Sequence, residues 1–391
     1  KNIFINNNDK IILLSLESKN QNDLKKRIGE KNFKNFHQNS IVKTLSILNP
    51  KCKIDYKFRF NKITLQTTDN FKLLVYQNIL RHIPQEYVEN FFHNKNNIKK
   101  NFNKKIKLTI IRTPLDFKTF NRFVMAETII DNGQILSMQH GGAYGARDIL
   151  GIEQTEINIS DKYLTWGWKS KQKKIHPFYL TKDNWIKDYQ YNKNGNILFT
   201  GASCKNSFHS FDEGQLPNHN RAHINNAVKL IQNLDNNSYK KFLYRFYYQQ
   251  NFNEASYIKK IFPDIKTSFR ENVPHFFDLL YNSKLLVTSN DATTHKQGFI
   301  INHPTIMLLS KDFFNFREDA KIYYQKLLDV GILYYDPVAC AKQVNYISSN
   351  PYDWWMEKKT QNAKNNYNKY FCRVSKNYNE DMSIIIKQMI K

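Results

Sequence analysis

The chain has 391 residues, of which 41% are hydrophobic and 14% aromatic. This composition excludes an intrinsically disordered protein, and the length predicts two domains of roughly 200 residues each. The formal net charge of +25 is compatible with binding to nucleic acid, to an anionic membrane or to an acidic substrate, and it does not distinguish these partners. A solvated basic surface is its simplest explanation.

The cysteines and the hydropathy indicate where the protein works. Cys52, Cys204, Cys340 and Cys372 lie far apart without a CxxC spacing, and we recognise no secretory leader, so we expect reduced intracellular thiols and no zinc site. No apolar run approaches the roughly 18 to 20 residues that span a bilayer, so any membrane contact is expected to be peripheral. The lysine-rich stretch 99–107 is the segment that best suits lipid phosphates.

The elements of the N-terminal half are weakly marked before residue 105 and clear after it. A short apolar run at 11–14, to which no element is assigned, comes first, and a helical pattern over 71–92, broken near Pro84, follows it. A βαβ unit and one further strand follow, with strands at 106–112, 134–139 and 162–167 and a helix at 116–130. The polar stretch 169–195 is predicted to link two domains.

Strands and helices alternate through the C-terminal half. Strands are predicted at 196–202, 240–248, 284–290, 304–310 and 332–336. Helices are predicted at 221–234, 254–261, 274–281, 294–301 and 318–328. This alternation is typical of a parallel, doubly wound sheet. We therefore predict an α/β protein with domains over 1–168 and 196–350 and with helices over 351–391 that pack back toward the N-terminal domain.

The first candidate site residues follow the strand that ends near residue 139. In an open parallel sheet, ligands bind beyond the carboxyl ends of the strands. His140 lies there and can accept a proton near neutral pH, while Gly141 and Gly142 permit a sharp turn or a close approach to a ligand. A tight turn in which His140 only bonds a nearby carbonyl is the structural alternative. Gln139 and Tyr144 complete the predicted acceptor side of the site.

A second candidate segment follows the strand predicted at 284–290. Its hydroxyls and the helix start behind it favour an anion, whereas simple N-capping by Asp291 or Thr293 is the structural alternative. Arg245, at another strand end, can neutralise a diphosphate or a carboxylate. The predicted donor-binding residues are Gly201, Ser203, Arg245, Ser289, Thr293, Thr294 and Gln297.

Three segments resemble a group of bacterial surface-carbohydrate transferases. The shared elements are QHGG.YG at 139–145, D-x-Y-L-x-W-G-W at 161–168, and A-T-T at 292–294 before 302–305, so the resemblance covers 106–309. More distantly, the chain is similar to glycerophosphotransferases of teichoic-acid synthesis and to transferases of ulosonic and nonulosonic acids. These relatives have the GT-B architecture, and the resemblance therefore implies two Rossmann-like domains that face a central cleft.

The resemblance also implies roles for individual residues. His140 would serve as the base, while Ser289, Thr293 and Thr294 would bind the donor phosphate. Gln297 stands where many relatives carry a carboxylate, which puts a contact with the donor ribose in doubt. From the residues themselves, a carboxylate that orients His140 is expected, either Asp161 or Glu156.

These roles predict a cytoplasmic, metal-independent glycosyltransferase of surface-polysaccharide synthesis that needs no cofactor. Its donor would be a CMP-linked sugar, with an acidic keto-sugar such as an ulosonic or nonulosonic acid favoured by the basic charge and by the resemblance. Its acceptor would be a hydroxyl of a glycan or glycolipid, and peripheral contact with the inner face of an anionic membrane is compatible with this role.

Three other functions stay open at this point. A CDP-polyol phosphotransferase would attack phosphorus and leave a phosphodiester, whereas the sugar route leaves a glycoside. A basic nucleic-acid-binding protein is disfavoured because no helix-turn-helix, zinc-finger or RNA-recognition signature is present. A catalytically silent protein with the same fold is the third.

Overall fold

A computed structural model describes the backbone over most of the chain. The described residues are 9–14, 24, 26–28, 33–36, 52–60, 67–101, 105–112, 119–180, 189–201, 217–246, 254–269 and 275–390. They form two sheets of six strands each. An α/β fold with two Rossmann-like sheets, as predicted, is therefore confirmed.

The first sheet has the strand order β2-β1-β3-β4-β5-β6. Its strands are β1 (Asp9–Leu14), β2 (Phe33–Phe36), β3 (Lys105–Ile111), β4 (Gln134–Met138), β5 (Lys162–Thr165) and β6 (Ile175–Pro177). The pairs β1–β2, β1–β3, β3–β4 and β5–β6 are parallel, and Leu108 faces Gln134 in the register of β3 with β4. Both β3 and β4 are almost entirely buried, as expected for parallel strands covered on both faces.

The N-terminal half of the chain also contains helices. They are α1 (Tyr56–Arg59), α2 (Asn70–His82), α3 (Phe91–Asn101), α4 (Thr119–Ile130) and α5 (Gly151–Ile159). The predicted break at Pro84 is confirmed, because α2 ends at His82 and a short 3₁₀ turn (Gln85–Tyr87) precedes α3. Arg59 stabilises this break, since its guanidinium donates to the carbonyls of Leu80 and Ile83 and pairs with the Glu89 carboxylate at 2.5 Å.

The second sheet has the order β12-β11-β10-β7-β8-β9. Its strands are β7 (Asn196–Thr200), β8 (Phe242–Phe246), β9 (Lys266–Phe269), β10 (Ser283–Thr288), β11 (Thr305–Leu308) and β12 (Leu333–Tyr334). All five pairings are parallel. Numbered from β7, this is the Rossmann order 3-2-1-4-5-6, in which the strand order reverses between β7 and β10.

Helices connect the strands of the second sheet and follow it to the end of the described chain. They are α6 (Pro217–Gln232), α7 (Asn236–Lys241), α8 (Glu254–Ile261), α9 (Phe276–Tyr281), α10 (Thr294–Ile300), α11 (Glu318–Asp329), α12 (Pro337–Ile347), α13 (Pro351–Met356), α14 (Lys358–Phe371) and α15 (Tyr378–Met389). One large core packs the sheet against α6, α8 and α10 to α14, with Phe199, Leu285 and Trp355 fully buried in it.

The chain divides into two compact units. The first contains residues 1–138, 158–162 and 377–391, and the second contains 139–157 and 163–376. The loop after β4 that carries His140 therefore clusters with the second unit, together with the segment that follows β10. Helix α15 belongs to the first unit.

Several elements differ from the prediction. The stretch 169–195 contains the strand β6, which has only three residues and ends at Pro177, so that no periodicity marks it. Helix α5 and strand β9 were not predicted at all. Helix α12 was also missed, although Asp336 caps it and Pro337 begins it, which is a recognisable start signal.

Candidate active site

Gln139 anchors the loop that follows β4. Its side chain is fully buried, and its Oε1 accepts hydrogen bonds from the backbone N–H of Trp166 and from Nε1 of Trp168, both at 2.8 Å. Its Nε2 donates to the carbonyl of Gly141 at 2.7 Å. Because the Gln139 side chain is buried and hydrogen-bonded at both Oε1 and Nε2, it holds the loop in place. This structural contact differs from the direct contact with the acceptor that was predicted for Gln139.

These contacts explain why the two tryptophans accompany the QHGG segment in the sequence. Trp166 also donates its Nε1–H to the carbonyl of Gln139 at 3.1 Å. Gly145 adopts φ +72°, and a Cβ there would lie 2.4 Å from the ring of Trp168. The W-G-W element thus forms the wall against which the loop folds.

His140 is held from one side only. Its Nδ1 lies 2.7 Å from the Tyr144 hydroxyl and 3.7 Å from Oε1 of Glu156, and its ring packs edge-to-face on Tyr144. Among the residues that the structure describes, none hydrogen-bonds to Nε2. The side chain is 30% exposed, whereas that of Glu156 is 4% exposed. Nε2 is therefore the atom that can exchange a proton with a ligand.

Glu156 is a buried carboxyl on helix α5. Burial raises its pKa, while the contacts with His140 and a hydrogen bond from Tyr163, 3.2 Å long, act in the opposite direction. The ionised form of a buried carboxylate is stabilised most when the neighbouring imidazole is protonated. The positive charge of the imidazolium then offsets the cost of removing the negatively charged carboxylate from water.

Asp161, the other carboxylate weighed as a partner of His140, has a different contact. Its Oδ2 accepts a hydrogen bond from the backbone N–H of Ile135 at 2.7 Å, and the residue is exposed. Asp161 thus caps the start of β4, and the contact with His140 that was considered for it is made in the structure by Glu156, 3.7 Å from Nδ1. Sequence reasoning could not rank the two, because the direction in which Glu156 points depends on α5, which was not predicted.

The loop of His140 touches the segment that follows β10. A Cβ on Gly142 would lie 2.0 Å from the carbonyl oxygen of Ala292 and 2.8 Å from the nitrogen of Thr293. Only glycine permits this backbone contact. The structure therefore brings the two predicted segments together within the second unit.

The residues after β10 do not form a simple helix cap. Thr293 occupies the N-cap position of α10 without a side-chain cap hydrogen bond, and the Asp291 carboxylate instead accepts from Tyr324 at 2.8 Å. Thr293 and Thr294 are partly exposed. Ser289 is buried and donates its hydroxyl to the carbonyl of Thr200 at 2.8 Å, which ties β10 to β7. Gln297 is buried in α10.

A buried polar cluster lies behind this segment and was not foreseen. Lys296 donates to the Tyr367 hydroxyl at 2.5 Å, and Nε2 of His295 lies 2.9 Å from the same hydroxyl and 3.7 Å from Oδ1 of Asp291. Burial lowers the pKa of Lys296 and holds that of His295 well below its ordinary value. A lysine in a chain with 59 Lys and Arg residues carries no sequence signal of burial, so only the structure reveals this cluster.

The remaining predicted donor residues lie at the ends of β7 and β8. The carbonyl of Arg245 accepts from the backbone N–H of Gly201 at 3.0 Å, and the guanidinium of Arg245 lies over the ring of Phe276 at 5.5 Å. Ser203 lies outside the described residues. Two residues that sequence reasoning missed, His223 and Glu254, line the same strand ends.

The loop that carries His140 thus meets the hydroxyl-bearing segment at the switch point of a Rossmann-like sheet in an α/β protein. The chain belongs to the LIC12162 family of transferases, whose profile matches residues 1–386. The protein is therefore a transferase.

Solved structures that are similar in fold have low sequence identity to this chain. The wall teichoic acid polymerase TagF, as an H444N variant with CDPG, is 8% identical, with 99% of this chain and 89% of that chain covered and a TM-score of 0.44. MurG from Acinetobacter baumannii is 9% identical, with coverages of 97% and 99% and a TM-score of 0.47. MnaA from S. aureus with UDP is 11% identical, with coverages of 97% and 95% and a TM-score of 0.49. The search of curated protein sequences gives no match.

Two further properties concern the described part of the chain. None of its helices combines the length and the apolar character needed to cross a membrane. Its histidine, cysteine and carboxylate side chains nowhere gather in a group of three that could hold a metal ion.

Proposed function

We propose that the protein is a glycosyltransferase of bacterial surface-polysaccharide synthesis. It transfers an acidic keto-sugar, an ulosonic or nonulosonic acid, from a CMP-linked donor to a hydroxyl of a glycan or glycolipid. The observation that carries this proposal is the backbone contact of Gly142 with Ala292 and Thr293. It supports a single site in which an acceptor hydroxyl beside His140 meets a donor phosphate beside Thr293.

In the proposed reaction, His140 is the general base. The acceptor oxygen attacks the anomeric carbon of the donor sugar and gives its proton to Nε2 of His140, while the bond from that carbon to the phosphate oxygen breaks and CMP leaves. Glu156, 3.7 Å from Nδ1, stabilises the imidazolium that forms. Tyr144 fixes the ring through its hydrogen bond to the same nitrogen.

The donor phosphate is proposed to bind at the ends of β8 and β10. The partly exposed hydroxyls of Thr293 and Thr294 supply donors, and Arg245 supplies positive charge. Gly201 lies at the end of β7, and Ser203 is retained in the proposal from the sequence alone. Ser289, whose hydroxyl is already used by Thr200, supports this edge and does not contact the phosphate directly. The net charge of +25 favours an anionic sugar.

Peripheral contact with an anionic membrane, at the inner face of the cytoplasmic membrane, is part of the proposal. Helix α2 has no buried residue, and its Phe71 and Leu74 are exposed, as is Phe92 at the start of α3. Lys99 and Lys100 lie in the last turn of α3. Exposed aromatic and apolar side chains near lysines suit anionic lipid. Cosedimentation with vesicles that contain anionic lipid, compared with neutral vesicles, tests this contact.

The experiment that tests the proposed function is calorimetric titration with CMP, CDP, UDP and GDP, followed by analysis of the product. We expect CMP to bind most tightly and the product to contain a new glycosidic bond. Binding of none of the four nucleotides would contradict the proposed enzyme. A product with a phosphodiester, formed from a CDP-polyol, would replace the proposed sugar transfer with polyol phosphate transfer.

A further inference from the structure

A buried polar group occupies the switch point of the second sheet. Glu254 is the first residue of α8, and its Oε1 accepts a hydrogen bond from the Tyr244 hydroxyl at 2.5 Å. Nε2 of His223, on α6, lies 4.0 Å from the same oxygen and 3.4 Å from the hydroxyl of Ser289. These side chains come from different elements and meet where β7 and β10 end.

The Glu254 carboxyl has no positively charged partner among the described residues. Its side chain is 12% exposed and that of His223 is 10% exposed. Burial lowers the pKa of His223 to about 4, so the imidazole is neutral at pH 7. Burial also raises the pKa of Glu254 to about 7, which the hydrogen bond from Tyr244 only partly opposes. A carboxyl kept in such surroundings is costly to ionise, and this cost is typical of functional sites.

Gly201, at the end of β7, lies directly beside the carboxyl. A Cβ on Gly201 would lie 3.1 Å from Cε1 of Tyr244 and 3.5 Å from Oε1 of Glu254, so a glycine at position 201 leaves both groups uncovered by a side chain of that residue. The hydroxyl of Thr200, on a residue that is 6% exposed, has no hydrogen-bond partner among the described residues. A buried hydroxyl without a partner at this edge is a second indication that a polar ligand binds here.

We propose that Glu254 accepts hydrogen bonds from the ribose hydroxyls of the donor nucleotide. Both contacts from the described residues involve Oε1, and a carboxylate has acceptor capacity for two neighbouring hydroxyls. In Rossmann-like sheets an acidic residue beyond the second strand takes this role, and Glu254 follows β8, the second strand of this sheet. Glu254 thereby supplies the carboxylate contact with the ribose, which Gln297, an amide, does not supply. The inference depends on the proposed function, since it requires a nucleotide donor.

The test compares CMP with its 2′-deoxy and 3′-deoxy analogues by calorimetry at pH 8, on the unaltered protein and on Glu254→Gln. The unaltered protein is expected to bind CMP about tenfold or more tightly than at least one analogue, as expected for a hydrogen bond to a charged group. In Glu254→Gln this preference disappears, because CMP binding weakens while binding of the analogue stays nearly constant. Urea unfolding of both proteins shows whether the variant is folded.

The pH dependence gives a second readout. Among the described residues, the titratable groups that face Glu254 are His223 and Tyr244. Burial raises the pKa of Tyr244 well above its ordinary value, so of these three groups Glu254 is the one that ionises between pH 6 and pH 8. CMP affinity should rise over this interval more in the unaltered protein than in Glu254→Gln. The titration of the CMP phosphate affects both proteins equally, so the comparison between them removes its contribution. Equal affinity of the unaltered protein for CMP and both analogues overturns the inference and leaves the proposed function standing. If CMP itself does not bind, the proposed function fails first.

Discussion

Two histidine–carboxylate pairs in the second unit have the same separation and opposite surroundings. Nδ1 of His140 lies 3.7 Å from Glu156, and Nε2 of His295 lies 3.7 Å from Asp291. The first imidazole is 30% exposed, whereas both side chains of the second pair are fully buried. The distance between a histidine and a carboxylate therefore does not identify a catalytic pair.

The partners of the two pairs account for the difference. His140 has its contacts at Nδ1, and no described residue hydrogen-bonds to its Nε2, whereas Nε2 of His295 already faces the Tyr367 hydroxyl and the ammonium group of Lys296. Both side chains of this pair are fully buried, whereas that of His140 is 30% exposed. We therefore expect the pair of His295 and Asp291 to contribute to stability as part of a buried polar network.

The largest expected effect concerns the buried pair. Asp291→Asn keeps an oxygen that can accept from Tyr324 but removes the negative charge, which leaves the Lys296 ammonium without compensation. We expect the free energy of unfolding to fall by roughly 3 to 5 kcal/mol, measured by urea denaturation. A loss below about 1 kcal/mol would mean that Lys296 is neutral in the folded protein or that another anion compensates it. Glu156→Gln, the matched change in the other pair, should cost less because His140 remains accessible to water.

The next effect separates the two carboxylates considered for His140. Glu156→Gln retains an oxygen for the Tyr163 hydroxyl but cannot stabilise a protonated imidazole, so turnover should fall by roughly 10-fold to 100-fold with unchanged CMP affinity. Steady-state kinetics and calorimetry measure the two quantities. Asp161→Asn is the companion variant, and if it lowers turnover more than Glu156→Gln does, the assignment of Glu156 is wrong.

The smallest expected effect tests the contact between the two segments. Gly142→Ala places a methyl group 2.0 Å from the Ala292 carbonyl, so the backbone must move, with a cost of about 1 to 3 kcal/mol in unfolding free energy and weaker donor binding. Gly141→Ala is the control, since its methyl group meets only the Tyr144 ring, at 3.3 Å. Equal CMP affinity and equal stability of the two variants would show that the close approach of Gly142 does not matter.

Sequence patterns predicted the second sheet better than the first. The alternation of strands and helices located α8 to the residue and most other elements within a few positions, because most of these strands and helices are marked by local periodicity. In the first sheet, Ile11 pairs with Phe33 and Leu108, residues that lie far apart in the chain. No local pattern contains such pairings, and β6, with three residues that end at a proline, is too short to show a period.

The sequence predicts those residues of the candidate site whose position follows from the end of a strand. It does not predict residues whose position depends on packing between distant parts of the chain. The position of His140 follows from the rule that ligands bind beyond parallel strands. The burial of Gln139 follows from its contacts with Trp166 and Trp168, which are 27 and 29 residues away in the sequence. His223 and Glu254 meet only because α6 and α8 converge on the same edge of the sheet.

The most direct test of the central claim is His140→Ala, with turnover and CMP affinity measured on the same preparation. If His140 is the general base, turnover falls by about 100-fold or more while CMP affinity stays close to that of the unaltered protein. Near-normal turnover in this variant would remove His140 from the mechanism and contradict the account.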